Sequence, residues 1–318
     1  MGDALKGWPP PIFGPAGPHA GSVAMLGWLL LAVAALVVAV VVAALWVALF
    51  GSDRQRARLG GARLIWIGGI AFPVVVLSVL LVIGLSMTGR LTAPLRGDEM
   101  RARITGEMWW WRVEYLAPDG RTVLIDANEL HIPVGEPVVL ELESSDVIHS
   151  FWVPRLTGKL DMIPGRTNIM RIQADRPGTF GAQCAEYCGG PHALMGFVVV
   201  AHPPQAFAAM MAARQARIAE PAALQGEAAR GAGLFETAGC AACHRIAGTE
   251  ANGMAGPDLT HVGSRRSLGA GILPNNSGTM MGWIGDSQAI KPGNRMPPYR
   301  TLPAEDLRAL ALYLEAQK

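Results

Sequence analysis

The sequence predicts a multidomain membrane protein in which two transmembrane helices precede a Greek-key β-sandwich and an all-α domain. Three observations support this order. Two long apolar runs lie near the N-terminus, short strand-like runs begin near residue 98, and helical periodicity returns after residue 226. The chain has 318 residues, of which 51% are hydrophobic and only 16% charged, a balance that favours membrane segments. A net charge of +2 gives no reason to expect a nucleic-acid partner.

We expect five segments. They are an irregular N-terminal tail (1–22), a transmembrane helical hairpin (23–97), the β-sandwich (98–202), a connector (203–225) and the all-α domain (226–318). The tail is rich in Gly and Pro, which favours irregular structure. It lacks a basic region followed by a short apolar core of its own, so we expect no separate cleavable signal peptide.

The apolar runs 23–50 and 64–88 are long enough to cross a membrane as helices. A signal-peptide interpretation of the first run is weaker, because the run exceeds the usual apolar core of a signal peptide. The intervening loop, 51–63, carries four arginines and one aspartate, which predicts that it lies in the cytoplasm. Both flanking ends, and the domains that follow, should then lie on the outer face of a bacterial inner membrane.

From residue 98 onward the pattern changes to short strands. Runs 108–116 and 121–126 flank the turn sequence Ala-Pro-Asp-Gly at 117–120, which indicates a hairpin. Further runs follow at 137–143, 167–174 and 197–201. This succession predicts a Greek-key sandwich, which resembles the cupredoxin fold. After it, the Ala-rich connector favours helix, and His131 and His202 are expected to be structural.

Residues 184–195 place two cysteines, a histidine and a methionine within twelve residues. Thiolate, imidazole and thioether together are the ligand set that selects copper over hard cations. His149, next to a strand-like run, offers a second imidazole. The alternative is a disulfide between Cys184 and Cys188, which an exported domain would permit; the neighbouring ligand types favour copper.

This stretch resembles the dinuclear copper (CuA) site of cytochrome c oxidase subunit II. The resemblance implies that the sulfurs of Cys184 and Cys188 bridge two coppers and that each copper takes one histidine. The implied ligand set is His149, Cys184, Glu186 through its backbone carbonyl, Cys188, His192 and Met195. It also implies that the Glu186 carboxylate binds a Mg²⁺ shared with subunit I.

Three consecutive tryptophans, Trp109-Trp110-Trp111, begin the first predicted hairpin strand. Side chains alternate across a strand, so at least one ring should face solvent or an interface. By resemblance, Trp109 matches the residue that accepts electrons from cytochrome c. The alternative is that Trp109 only packs against a membrane-side partner.

The remaining two cysteines lie in Cys240-Ala241-Ala242-Cys243-His244, the signature of covalent c-type haem attachment. Residues 226–318 resemble a class I cytochrome c domain, with a helix at 226–237 and a closing amphipathic helix at 303–317. The resemblance implies His244 and Met296 as axial ligands, since 291–299 resembles the family's Met-Pro loop. The alternatives for the second ligand are Met254, Met280, Met281 and His261.

In this order the segments resemble cytochrome c oxidase subunit II with a fused cytochrome c domain, the caa type. The resemblance implies a chain that carries electrons from haem c to CuA and on to subunit I, where oxygen is reduced to water and protons are translocated. Expected partners are subunit I and other oxidase subunits. Candidate electron donors are a soluble or membrane cytochrome c and a quinol-oxidising complex.

Two other functions fit the same modules. One is the CuA-bearing subunit of a nitric oxide reductase or of another haem-copper oxidase relative. The other is an electron shuttle with no fixed partner, for which two membrane helices would be surplus. The sequence also departs from many subunit II chains at 63–67, where neither Glu nor Thr flanks Trp66. The resemblance therefore does not extend to a proton-feeding role.

Overall fold

The computed structural model describes residues 10–91, 97, 99–219 and 223–318. The first nine residues of the predicted tail and three residues of the predicted connector lie outside the described part. The chain forms two compact units, Gly21–Pro94 and the remainder. The predicted fold class is confirmed, with two apolar helices, a β-sandwich and a helical domain following one another.

The first unit is helical. Helix α1 spans Pro18–Phe50, so it begins inside the predicted tail. Short helices α2 (Asp53–Leu59) and α3 (Ala62–Trp66) lead through one π-helical turn, Ile67–Ala71, into α4 (Phe72–Leu91). The π-helical turn ends two residues before Pro73, as expected where a proline interrupts the ladder of helix hydrogen bonds. Pro18–Phe50 and Ala62–Gly89 are long and apolar enough to cross a membrane.

The sandwich domain, as we call β1 to β10, has two five-stranded sheets. One has the order β3-β2-β1-β5-β8 and the other β4-β10-β9-β6-β7, and only the β1–β5 and β4–β10 pairs are parallel among the pairs in these sheets. The strands are β1 (Met100–Glu107), β2 (Trp110–Leu116), β3 (Thr122–Ala127), β4 (Glu129–Pro133), β5 (Val138–Ser144), β6 (His149–Trp152), β7 (Lys159–Met162), β8 (Asn168–Ile172), β9 (Gly178–Cys184) and β10 (Gly196–His202).

Strand β1 is absent from the sequence prediction because half of its side chains are charged or polar. Its inward residues Ala102 and Ile104 are fully buried, whereas Arg103 on the other face pairs with Glu141 of β5 at 2.9 Å. A neighbouring strand thus neutralises the charged side chains of β1, which in the sequence alone are typical of a loop. The second strand therefore begins at Trp110, later than the predicted run 108–116. Trp109 lies in the turn between β1 and β2 rather than within a strand.

The core of the sandwich contains three interlocked aromatic rings. Trp111, Phe151 and Phe197 are fully buried or nearly so, with ring centroids 5.2 to 5.9 Å apart in edge-to-face contacts. The ring of Trp111 also lies 6.2 Å from that of His149. The end of the sandwich that carries the predicted copper ligands therefore rests on a rigid aromatic layer.

After the connector helix α5 (Pro204–Ala219) comes the helical domain, as we call the elements from α6 onward. They are α6 (Gly226–Thr237), the short strands β11 (Ser267–Leu268) and β12 (Leu273–Pro274), α7 (Ser277–Gly285), α8 (Ser287–Ile290) and α9 (Ala304–Glu315). Helices α6 and α9 cross closely at Gly231, where a Cβ atom would lie 2.0 Å from the carbonyl oxygen of Ala309. Phe235 and Tyr313 pack edge to face beside this crossing.

Candidate functional site

Three adjacent elements bring the predicted copper ligands together. His149 begins β6 and Cys184 ends β9, and these strands pair with Phe151 opposite Cys184. The loop after β9 carries Cys188 and leads into a short 3₁₀ turn, His192–Leu194, before β10. A Cβ on Gly106 of β1 would lie 2.8 Å from the His149 ring, so only glycine permits this ring to lie against β1.

The six predicted ligand positions form one cluster. The two cysteine sulfurs are 3.8 Å apart, too far for a disulfide bond of about 2.05 Å. Nδ1 of His149 lies 3.8 Å from Sγ of Cys184, and Nδ1 of His192 lies 3.4 Å from Sγ of Cys188. Two weaker donors complete it: Sδ of Met195, 3.8 Å from Sγ of Cys188, and the Glu186 carbonyl oxygen, 3.1 Å from Sγ of Cys184.

This donor set fits soft metal ions. His149, Cys184 and Cys188 are buried, and their ligand atoms lie within 4.8 Å of one another. The contact with the Cys188 sulfur, helped by His149, holds the pKa of Cys184 well below its usual range, against the effect of burial. A thiolate at this position is the form that binds metal.

Asp146 is a neighbour of the cluster that sequence reasoning did not single out. Nε2 of His149 donates to Oδ1 of Asp146 at 2.9 Å, which leaves Nδ1 facing Cys184. The Asp146 carboxylate also accepts hydrogen bonds from the backbone N–H groups of Met108 and Val147. Carboxylates placed in this way fix the tautomer and orientation of a metal-binding histidine. Its spacing, three residues before His149, is the only signal in the sequence.

A cavity of about 370 Å³ lies between α6, α7 and the loop 291–299, and Cys240, Cys243, His244 and Met296 line it together. Its other lining residues are largely apolar, among them Phe235, Leu259 and Leu310. An apolar cavity with the haem-attachment cysteines and two axial candidates at its surface fits a covalently held haem. The sandwich domain contributes Met108, Trp109 and Trp110 to the same lining.

His244 is held in one orientation. Its Nδ1–H donates to the carbonyl oxygen of Pro257 at 2.8 Å, which leaves Nε2 available as a ligand. Gly256 lies directly against the ring, and a Cβ there would approach Cε1 of His244 to 2.6 Å. The stretch 256–257 therefore serves to place the imidazole.

The alternatives to Met296 differ in position. Met280 lines the same cavity, whereas Met281, Met254 and His261 are not among its lining residues. Met254 is 44% exposed. His261 is fully buried, and neither ring nitrogen has a hydrogen-bond partner among the described residues. Burial lowers the pKa of His261 to about 4, so the ring is neutral.

Trp109 contacts both candidate centres. Its Nε1–H donates to the carbonyl oxygen of Cys188 at 2.9 Å. Its ring lies on Gly189 and Gly190 of the loop between β9 and β10, residues 185–195, which we call the copper loop. The same residue lines the cavity that holds Cys240 and Met296. Trp111, in contrast, is part of the sandwich core.

A buried ion network joins the two domains elsewhere. Asp126 of β3 is fully buried and pairs with Arg214 of α5 at 2.5 Å and with Arg265 of the helical domain at 2.8 Å. Burial alone would raise the pKa of Asp126, but Arg265 and Arg214 outweigh it and hold the pKa well below its usual range. His131 and His202 lie beside this network with their rings stacked and Nδ1 of His131 2.8 Å from Nε2 of His202.

Comparison with known proteins identifies both folded domains. Residues 112–202 match the family model described as cytochrome c oxidase subunit II, periplasmic domain, and residues 228–318 match the one described as cytochrome c. A solved structure of the periplasmic domain of subunit II of cytochrome oxidase from Bradyrhizobium japonicum is 31% identical. It covers 36% of this chain and 91% of that chain, with a TM-score of 0.32.

Relatives cover most of the chain. The cytochrome c oxidase subunit 2 of Alkalihalophilus pseudofirmus is 37% identical over 273 residues, which span 84% of this chain and 77% of that protein. The corresponding subunit of Bacillus subtilis is 31% identical over 231 residues, which span 70% of this chain and 63% of that protein. The protein therefore belongs to the cytochrome c oxidase subunit 2 family, as an electron-transfer subunit of a terminal oxidase that carries its own cytochrome c domain.

Proposed function

We propose that this chain takes up electrons through its helical domain and passes them through its sandwich domain to a separate catalytic subunit. In that subunit oxygen would be reduced to water with coupled proton translocation. The observation that carries the proposal is the position of Trp109, which hydrogen-bonds the Cys188 carbonyl and lines the cavity beside Cys240 and Met296.

Two sets of residues would hold the cofactors. His149, Cys184, Cys188, His192, Met195 and the Glu186 carbonyl would bind two copper ions, and Cys240 and Cys243 would attach haem c with His244 and Met296 as axial ligands. When bound, these groups supply one-electron redox chemistry. Soft donors suit copper, and an axial thioether raises the potential of a haem relative to a second imidazole.

The electron donor to Trp109 is then the chain's own helical domain. Trp109 is half-buried, and it contacts that domain through the cavity lining and through its carbonyl oxygen. A separate cytochrome c could not occupy the same surface while the two domains are in contact. An external donor, whether a cytochrome or a quinol-oxidising complex, would instead deliver electrons to the helical domain.

We propose further that the Glu186 carboxylate contributes to a Mg²⁺ site completed by the catalytic subunit. Glu186 is half-buried between the two cysteines of the loop, and oxygen donors are what Mg²⁺ prefers. Because the remaining ligands would come from the partner, the site should form only in the assembled oxidase. Manganese bound in place of magnesium would show by its paramagnetic signal whether Glu186→Gln removes the site.

The orientation across the membrane also belongs to the proposal. Helix α2 between the two membrane helices carries Arg54, Arg56 and Arg58, which favours the cytoplasmic side for this segment. Both folded domains would then lie on the outer face. A Gln55→Cys variant should react with an impermeant thiol reagent, detected on the peptide containing residue 55, only after spheroplasts are opened. Labelling of intact spheroplasts would reverse the orientation.

The central experiment is rapid photoreduction of the haem in the full, cofactor-loaded chain, followed at the copper absorption band over a range of dilutions and salt concentrations. A donor in fixed contact should transfer its electron at a rate independent of protein concentration and only weakly dependent on salt, whereas an electrostatically steered encounter slows as salt is added. A rate that rises with protein concentration would mean that each helical domain serves another molecule, and the proposal would fail.

A further inference from the structure

Lys291 is a cation buried where the two domains meet. Its side chain is only 3% exposed. The Nζ atom donates one hydrogen bond to the carbonyl oxygen of Trp109 at 2.7 Å and another to the carbonyl oxygen of Gly269 at 3.0 Å. One acceptor lies in the sandwich domain and the other in the helical domain, so this ammonium group joins them directly.

Burying an ammonium group between two uncharged acceptors is costly. Burial lowers the pKa of Lys291 to about 7, well below that of an exposed lysine. An apolar side chain of similar length would fill the same space without that cost. The lysine instead constrains the relative position of the two domains. Its two hydrogen bonds form together only when the Trp109 and Gly269 carbonyl oxygens lie at the correct distance from each other.

The Trp109 residue that accepts this hydrogen bond is the one that reaches the copper loop. Its carbonyl oxygen accepts from Lys291 while its ring N–H donates to Cys188. Lys291 also begins the loop 291–299, which carries Met296 and which we call the methionine loop. The N–H of Met296 donates to the side-chain oxygen of Asn294 in that loop. Two hydrogen bonds therefore connect the Cys188 carbonyl to the first residue of the methionine loop.

Other contacts along this loop are weaker. Arg295 lies 3.7 Å from Asp146, but the Arg295 side chain is 58% exposed, so solvent screens the pair. A Cβ at Gly293 would only just touch Cδ of Pro191, at 3.6 Å. Among the described residues of the loop, Lys291 makes the buried polar contact with the sandwich domain.

We propose that Lys291 is the positioning residue that fixes the methionine loop of the helical domain against Trp109 of the sandwich domain. This rests on the proposed function, in which Trp109 lies on the path of electrons between the two domains. The role is to hold the spacing between the two centres, since Lys291 itself is neither a ligand nor a carrier of electrons.

Amide hydrogen exchange on the full, cofactor-loaded chain tests the positioning role without any electron transfer. The N–H of Gly196 in the sandwich domain donates to the Ala270 carbonyl of the helical domain at 2.9 Å, so its exchange reports on separation of the domains. In Lys291→Met we expect this amide to exchange about tenfold faster, since the hydrogen bonds from Nζ that held the contact are lost. The haem-to-copper rate should fall as well, with both absorption spectra unchanged.

Lys159→Met is the matched control, because Lys159 is an exposed lysine in β7. It should alter neither the exchange of Gly196 nor the transfer rate. If Lys291→Met exchanges at the wild-type rate, the lysine is only a space-filling residue and the proposal is overturned. That result would not contradict the proposed electron path. The path is tested separately, by how the wild-type haem-to-copper rate depends on protein and salt concentration.

A measurement on the wild-type protein covers the case in which Lys291→Met does not assemble. An amine-specific reagent applied to the native chain should modify Lys291 far more slowly than Lys159 and Lys318, which are both exposed. Modification of Lys291 at the rate of these two residues would mean that the contact is open in solution, and the positioning role would be rejected.

Discussion

The ring N–H of Trp109 hydrogen-bonds the carbonyl oxygen of Cys188 at 2.9 Å, so a residue of the turn between β1 and β2 is joined to the copper loop. Replacing Trp109 with Phe keeps an aromatic ring but removes this donor. We expect the haem-to-copper rate to fall and the stability to drop by about 1 kcal/mol, the usual worth of one hydrogen bond. Flash photoreduction and thermal unfolding measure the two effects.

Trp110→Phe is the control for this change, since Trp110 lines the same cavity from β2 and has Arg112 stacked on its ring. It should leave the transfer rate close to that of the wild type. If Trp109→Phe transfers electrons as fast as Trp110→Phe, Trp109 serves only in packing.

Asp146 orients His149, and its removal should weaken copper binding. In Asp146→Asn the amide can present N–H to the imidazole and no longer fixes its tautomer. Losses of about 10- to 100-fold in metal affinity are typical for such outer partners. Competition with a copper chelator measures the change. Asp161→Asn, at an exposed position of β7, is the matched control and should bind copper like the wild type.

Met296 is proposed as the second axial ligand, and Met280 is the other methionine in the cavity. Met296→His should lower the reduction potential of the haem and abolish the weak absorption band of a methionine-ligated haem, because imidazole donates more strongly than thioether. Met280→Leu should preserve both. Loss of the band in Met280→Leu together with its retention in Met296→His would exchange the two assignments.

Most features that sequence alone predicted are local ones, and His149, 35 positions before Cys184, was assigned through the resemblance to a known family. Cys184, Cys188, His192 and Met195 lie within twelve consecutive residues, and the haem cysteines adjoin His244, so their proximity needs no knowledge of the fold. Strand β1 was missed because its arginines make an outward face whose charges are neutralised by Glu141 of another strand. Alternation of charged and apolar side chains is ambiguous until the neighbouring strand is known.

Contacts between the sandwich domain and the helical domain could not be predicted from the sequence, for a different reason. Lys291 and Trp109 are 182 positions apart, and Arg265 and Asp126 are 139 apart. Their pairing depends on how the sandwich domain and the helical domain pack against each other, which no periodicity or motif encodes. The methionine loop was recognised for its ligand, whereas its first residue carries an interdomain contact that only the structure reveals.

Asp126 should be essential for holding the domains together. It is fully buried between Arg214 and Arg265, and Asp126→Asn would leave these buried cations without their counter-charge. Removing one partner of a buried ion network typically costs about 3–5 kcal/mol. Thermal unfolding of the full chain should show the loss. Asp119→Asn, in an exposed turn, makes the same chemical change and should unfold at nearly the wild-type temperature.

The same carboxylate predicts a pH dependence with a definite sign. The pKa of Asp126 lies well below its usual range in the folded protein because Arg265 and Arg214 outweigh the effect of burial, whereas in the unfolded chain the pKa returns to about 4. As pH falls below that value the unfolded chain takes up a proton that the folded chain excludes. The stabilisation by Asp126 is therefore complete at neutral pH and declines as the medium becomes acidic.

Because Asn does not titrate, the difference in unfolding free energy between the wild type and Asp126→Asn isolates this group from the other carboxylates. We expect the difference to be largest near pH 7 and to shrink steadily below about pH 4. A difference that stays constant from pH 7 to pH 3 would show that folding does not lower the pKa of Asp126.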